Sequence, residues 1–212
     1  MKAFNLALAF GIALGAVSAR AQSLTFAGTP AGELPRELEA ALTGGGPPPR
    51  WEVVADPTAD GGKALAQTSA DPTDLRFPLA LTRAPAPADV EVATRFKPVS
   101  GKEDQAGGLV VRVQDVDNYY VTRANALENN VRFYRVVKGR RQQLASANAK
   151  VTSGEWHSLT LRAEGNRFTV SFDGRQVITA ADATFKAPGK VGLWTKADSV
   201  TRFESLSIKP LR

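Results

Sequence analysis

GGLVVRVQDVDNYYVTRANALENNVRFYRVVKGRRQQL, Gly107–Leu144, decides how this chain is read. It divides into four consecutive strands: an apolar run, a polar Asp115–Asn118 turn, a strand carrying Tyr119, Tyr120, Arg123 and Asn125, and a hairpin. In an extended chain alternate residues face opposite sides. Leu109, Val111 and Val113 therefore share one face, and Val110, Arg112 and Gln114 the other. On the hairpin's first arm Val131, Phe133 and Val137 share a face, opposite Asn130, Arg132 and Tyr134.

The pattern extends outward in both directions. Upstream, Trp51–Ala55, Ala64–Thr68 and Arg76–Leu81 are short β-like runs separated by Asp-Pro and Asp-Gly-Gly turn chemistry. Val90–Phe96 alternates cleanly. Downstream, Trp156–Arg162 and Phe168–Phe172 alternate, and Asp173-Gly174 marks a hairpin into Arg175–Thr179. Val191–Thr195 and Val200–Ile208 close the series. About a dozen strands with a turn signal every 8 to 12 residues predict an all-β sandwich of two antiparallel sheets. Residues 22–50 are rich in Gly and Pro and read as a segment packed on, or leading into, a domain spanning 51–212. Within that segment Leu24–Phe26 is expected as an edge strand and Glu37–Leu42 as a single helical turn.

Composition narrows the function classes. The chain has 212 residues, 43% of them hydrophobic, enough for one domain with a substantial core. It contains no cysteine, which removes disulfides, thiol nucleophiles and thiolate metal sites. Lys2, the apolar run Leu6–Val17 and the Ala19-Arg20-Ala21 site predict a signal peptide over residues 1–21. The expected mature protein is exported, to the periplasm or the medium, with no later stretch long enough to span a bilayer. Its net charge falls from +6 to +4 once Lys2 and Arg20 are removed. The basic residues are scattered, apart from Lys138, Arg140 and Arg141 at a hairpin, and read as a solvated surface with no nucleic-acid partner.

GEWHSLTLRAEGNRFTVSFDGRQVI (Gly154–Ile178) and APGKVGLWTKADSVTRFESLSI (Ala187–Ile208) resemble the C-terminal half of a concanavalin A-like lectin/glucanase domain. The shared features are the Trp156-x-x-Leu159 strand, the Asp173-Gly174 hairpin, the Gly189–Leu193 strand and a final strand with Phe203. DNYYVTRANALENNVRFYRV (Asp117–Val136) is similar to secreted bacterial jelly rolls of the laminin-G-like and 3-keto-disaccharide hydrolase groups. The likeness covers Trp51 to Pro210. It implies a jelly roll with one concave sheet, and ligands on the concave face or its rim. The superfamily holds lectins, glycosidases, lyases and binding modules, so the resemblance leaves the activity open.

Catalytic signatures are missing. Retaining glycosidases of this superfamily carry Glu-x-Asp-x-Glu on one strand, which aims the acids at one face; no such run occurs here. His157 is the single histidine, and no Gly-x-Ser-x-Gly elbow accompanies it. Asp115 and Asp117 read first as turn residues. A structural calcium at this pair with Asn118 is the alternative the resemblance allows, and no other cofactor is expected.

Arg123, Asn125, Asn130, Arg132 and Tyr134, joined by Trp194 and Lys196, form the candidate ligand set. Guanidinium and amide groups suit vicinal hydroxyls, and an aromatic ring suits the C–H face of a sugar. The leading expectation is non-catalytic carbohydrate or glycan binding. A hydrolase on a modified disaccharide and a structural or protein-binding module are the alternatives.

Overall fold

The computed structural model describes residues 21–211, so the expected signal peptide, apart from its last residue, lies outside the described residues. Every strand pairing is antiparallel, and the strands form two sheets. In the first, β13 (Arg175–Ala181), β12 (Arg167–Phe172), β11 (His157–Glu164), β6 (Val90–Ser100), β15 (Val200–Phe203), β4 (Lys63–Gln67) and β3 (Trp51–Ala55) lie side by side. β16 (Ser205–Pro210) also pairs with β6 and carries β1 (Gln22–Thr25) on its other edge. The second sheet runs β10 (Arg140–Asn148), β9 (Asn130–Val137), β8 (Asn118–Asn125), β7 (Ala106–Asp115), β14 (Lys190–Trp194), β5 (Arg76–Thr82) and β2 (Leu38–Gly44). This is the expected two-sheet jelly roll.

Two departures concern the chain before Trp51. Leu38–Gly44 is strand β2, paired with β5 over seven residues, not a helical turn. Local composition favoured a break, but the exposed backbone of β5 offered a full ladder of hydrogen bonds. Residues 22–50 thus contribute β1 to one sheet and β2 to the other. No helix of the described residues is long and apolar enough to cross a membrane.

A third departure sits in the stretch that decides the fold. Leu109 and Val111 face the core between the sheets, as alternation predicts, but Val113 lies on the other side with Val110. The register of β7 slips against β8 between Val111 and Asp115, and against β14 opposite Lys190 and Gly192. Arg112 occupies the slip with φ 51°, a left-handed conformation that costs a non-glycine residue about 1 kcal/mol or more. A bulge of this kind moves every later side chain to the opposite face.

The main core lies between the sheets, with Phe96, Leu109, Tyr120, Phe133, Leu161, Phe168, Leu193 and Phe203 fully buried. A second cluster covers the far face of the seven-stranded sheet: Phe77, Leu79, Leu81, Val110, Tyr119, Val121, Tyr134, Val136 and Trp194. A face fully open to solvent would not bury Trp194 or Tyr119 completely. The sheet curls here, bringing the β7–β8 turn against β2, where the Thr43 hydroxyl donates to the Val116 carbonyl and pairs with the Tyr119 hydroxyl at 2.9 Å.

Candidate functional site

Strand register places the candidate residues in rows across this curled face. Trp194, Gly108, Arg123, Arg132 and Ser146 are successive cross-strand partners on β14, β7, β8, β9 and β10. The neighbouring rows hold Ala106, Asn125, Asn130 and Asn148, and Val110, Val121, Tyr134 and Gln143. Gly108 is required at its position, since a Cβ there would stand 2.5 Å from the Thr122 carbonyl oxygen. The same Cβ would lie 3.2 Å from both Arg123 Cβ and Trp194 Cε3, so bare backbone lets those two side chains close over it.

Four of the seven expected residues meet at one carboxylate or beside it. Glu128, in the β8–β9 turn, accepts from Arg123 at 2.8 Å and Asn130 at 3.0 Å and forms an ion pair with Arg132 at 3.1 Å. Arg123 also donates to the Asn130 side chain and approaches the Tyr134 hydroxyl at 3.5 Å. Burial acts to raise the Glu128 pKa, but Arg123, Asn130 and Arg132 outweigh it and hold the carboxyl below the usual range. The Tyr134 hydroxyl beside Arg132 pushes that guanidinium's pKa up. Arg123 is 2% exposed, whereas the Arg132 side chain is 33% exposed and Glu128 is open to solvent. Arg132 Nε has no hydrogen-bond partner among the described residues. A shallow cleft lined by Glu128, Asn129, Asn148, Ala149 and Lys150 opens at this edge.

Asn125 and Lys196 converge on a different acid. Asp104 accepts from the Asn125 amide at 2.5 Å and from Lys196 Nζ at 2.5 Å, and Lys196 reaches Asp74 at 2.6 Å. Burial raises the Asp104 pKa, with Lys196 opposing it. The loop presenting Asp104 is fixed from beneath: the Asp198 carboxylate accepts backbone N–H bonds from Lys102, Glu103 and Asp104. Gly101 makes that loop passable, because a Cβ there would sit 1.9 Å from the Asp104 carbonyl oxygen.

Two expected ligand contacts need correction. Trp194 is 0% exposed and stacks on Phe77 at 5.6 Å, and Tyr134 is 6% exposed. As it stands, neither ring offers a free face to a sugar; both belong to the second core. The sequence also missed Arg141. Its guanidinium carbon lies 4.4 Å from the Phe77 ring centre, 5.0 Å from Tyr134 and 5.7 Å from Trp194. Arg141 had read as one of three solvated hairpin cations. Only the curl of the sheet brings β10 above rings from β5 and β14, so no local signal could have found it.

The other candidates resolve simply. Asp115 accepts from the Asn118 amide at 2.9 Å and from the Asp117 backbone at 2.8 Å, which closes the turn. No group of three or more metal-ligating side chains occurs among the described residues. His157 bridges Asp173 at 2.8 Å and the Thr152 backbone while stacking on Phe172, a structural role.

Residues 64–209 match the sequence profile of the 3-keto-alpha-glucoside-1,2-lyase-like domain, well over half of the chain. The chain belongs to that family. The matched span includes β5–β15 and nearly all of β4 and β16, hence every residue of the Glu128 and Asp104 networks. The family assignment agrees with the group resembled by Asp117–Val136. Among curated proteins, levanase of Bacillus subtilis is 32% identical over 89 residues, which are 42% of this chain and 13% of levanase. The chain thus matches only a small part of that enzyme. Among solved structures, the carbohydrate binding module CBM66 from Bacillus subtilis superposes with a TM-score of 0.64 at 24% identity, covering 80% of this chain and 94% of the module. The lumenal domain of VIP36 bound to calcium and Man3GlcNAc gives 0.63 at 13% identity, over 92% and 91%. At these identities the likeness establishes the shared jelly-roll fold.

Proposed function

We propose that this protein is an exported carbohydrate-binding jelly roll whose glycan site lies on the curled face of the seven-stranded sheet, centred on Glu128 and Arg132. The observation that carries the reading is the Glu128 node. One solvent-open carboxylate is held by Arg123, Arg132 and Asn130 at the mouth of a cleft, with Ser146 and Asn148 exposed alongside. Such a cluster offers acceptors and planar donors fixed in advance, which lowers the ordering cost of binding vicinal hydroxyls. The names of the fold relatives, a carbohydrate binding module and a mannoglycan-bound lumenal domain, support the same ligand class. Lys2, the apolar run Leu6–Val17 and Ala19-Arg20-Ala21 support export.

Glycan-array screening of wild type against Arg132→Ala tests the site. Arg132 is half-exposed, so the variant folds, and binding to the best ligands is expected to fall at least tenfold. Unchanged binding by the folded variant refutes the placement.

Family membership favours a second reading, lyase chemistry on a 3-keto-α-glucoside. Glu128 is the solvent-open acid of its network, yet three donors keep it ionised, which makes it a weak base at neutral pH. Incubation with a 3-keto-α-glucoside decides the matter. Release of the aglycone by wild type, lost in Glu128→Gln, would replace binding by catalysis.

A further inference from the structure

Among the described residues, Arg141 is a cation of this face that forms no ion pair with an acid. Arg123 and Arg132 share Glu128, and Lys196 is held by Asp104 and Asp74. Arg141 makes no ion pair or hydrogen bond among the described residues, although it is half-buried and burial lowers its pKa. Three aromatic rings lie within 5.7 Å of its guanidinium carbon. An aromatic face attracts the charge, but it does not replace oxygen acceptors for five N–H donors. Donors exceed acceptors elsewhere in the cluster too. The buried Trp194 indole N–H has no acceptor in hydrogen-bonding geometry, although it lies near the Tyr119 hydroxyl.

Folding normally removes a guanidinium from water only against carboxylates or carbonyls. Arg141 stops half-way: its guanidinium lies over the rings with its donors still open to solvent and to a ligand. A planar oxyanion completes the arrangement, because the guanidinium fork matches a carboxylate or sulfate group in two parallel hydrogen bonds. The Tyr134 ring under Arg141 carries the hydroxyl that lies beside Arg123 and Arg132, so an anion at Arg141 would be continuous with the Glu128 site.

We infer that Arg141 is the anion-recognising residue of this site, and that the preferred ligands are acidic glycans carrying a carboxylate or sulfate. The inference rests on the glycan-site reading above and adds the charge class of the sugar.

The test compares oligogalacturonate with its methyl-esterified form, by calorimetry on the full protein at low salt. The two probes share the sugar backbone and differ at the carboxyl, where the ester replaces the anionic oxygen by a neutral methoxy group. At least tenfold weaker binding of the ester is expected, together with loss of the difference in Arg141→Gln and weakening in Arg141→Lys, which keeps charge but not the fork. A sulfated galactan oligomer run in parallel separates sulfate from carboxylate recognition. Thermal melting of both variants verifies folding, and the wild-type comparison stands without either variant. Equal binding of acid and ester by wild type overturns the inference; if that shared binding still needs Arg132, the glycan-site reading survives. Binding of the acid by folded Arg141→Gln at wild-type strength also overturns it. If no saccharide binds at all, both readings fall.

Discussion

Two arginines of the seven-stranded sheet, Arg112 fully buried and Arg141 half-buried, are treated by the fold in opposite ways. Arg112 sits on the β7 bulge and spends its guanidinium on structure. It donates to the carbonyls of Ala88 at 2.9 Å, Phe185 at 3.0 Å and Gly165 at 2.8 Å, and to Asp89 at 3.2 Å. Its charge also lies over Phe168 at 5.2 Å. Three loops are thereby tied to one side chain. Arg141, on the curled face of the same sheet, has rings and no acceptors. A saturated buried cation is a structural fastener; an unsaturated one is a donor set awaiting an acceptor. Cation–π contact is common to both, so hydrogen-bond accounting is what separates them.

The contrast can be broken most directly at Arg112. Its replacement by Ala strands three loop carbonyls and removes the partner of Asp89, and should cost on the order of 5 kcal/mol in urea unfolding. A loss under 1 kcal/mol would mean that the loops hold without it. Trp194→Ala comes next. Removing a fully buried ring stacked on Phe77 should cost about 4 kcal/mol and loosen the floor under Arg141. A surface role for Trp194 would instead leave stability nearly unchanged and alter binding alone.

Arg141→Met sharpens the comparison from the other side. The variant gives up a cation–π contribution of roughly 1 kcal/mol but relieves an uncompensated charge, so stability should stay within about 1 kcal/mol of wild type. A loss as large as that of Arg112→Ala would show that Arg141 is fastened by bonds after all.

The smallest effect concerns pH. The folded-state pKa of Glu128 is held below its ordinary 4.5, so its contribution is present above pH 4.5 and fades as pH falls through the depressed value. The group is open to solvent, which limits the contribution to less than about 1 kcal/mol. Urea titrations of wild type and Glu128→Gln should therefore differ at pH 7 and draw together as pH falls below 4.5. Divergence that grows towards pH 3 would reverse the sign.

Much of this was legible locally. Trp51–Ala55 is β3 as expected, Asp173-Gly174 turns the β12–β13 hairpin, and the Arg123, Asn130, Arg132 and Tyr134 group does assemble, because register follows from short turns. Glu37–Leu42 was misread as helical because a strand that joins β5 from a Gly/Pro-rich segment has no signal of its own. Val113 was placed on the wrong face because nothing in a period-2 pattern announces a bulge.

The sequence by itself determined most of the strands and their turns, the jelly-roll class and the family, since alternation and turn chemistry act over a few residues. Only the tertiary structure decided which acids each cation meets, that Trp194 lies under the floor rather than on it, and that Arg141 stands above it. Those outcomes depend on how far the seven-stranded sheet curls. The curl is set by a slip at Arg112 and by contacts between Thr43 and the β7–β8 turn, more than seventy residues apart in the chain.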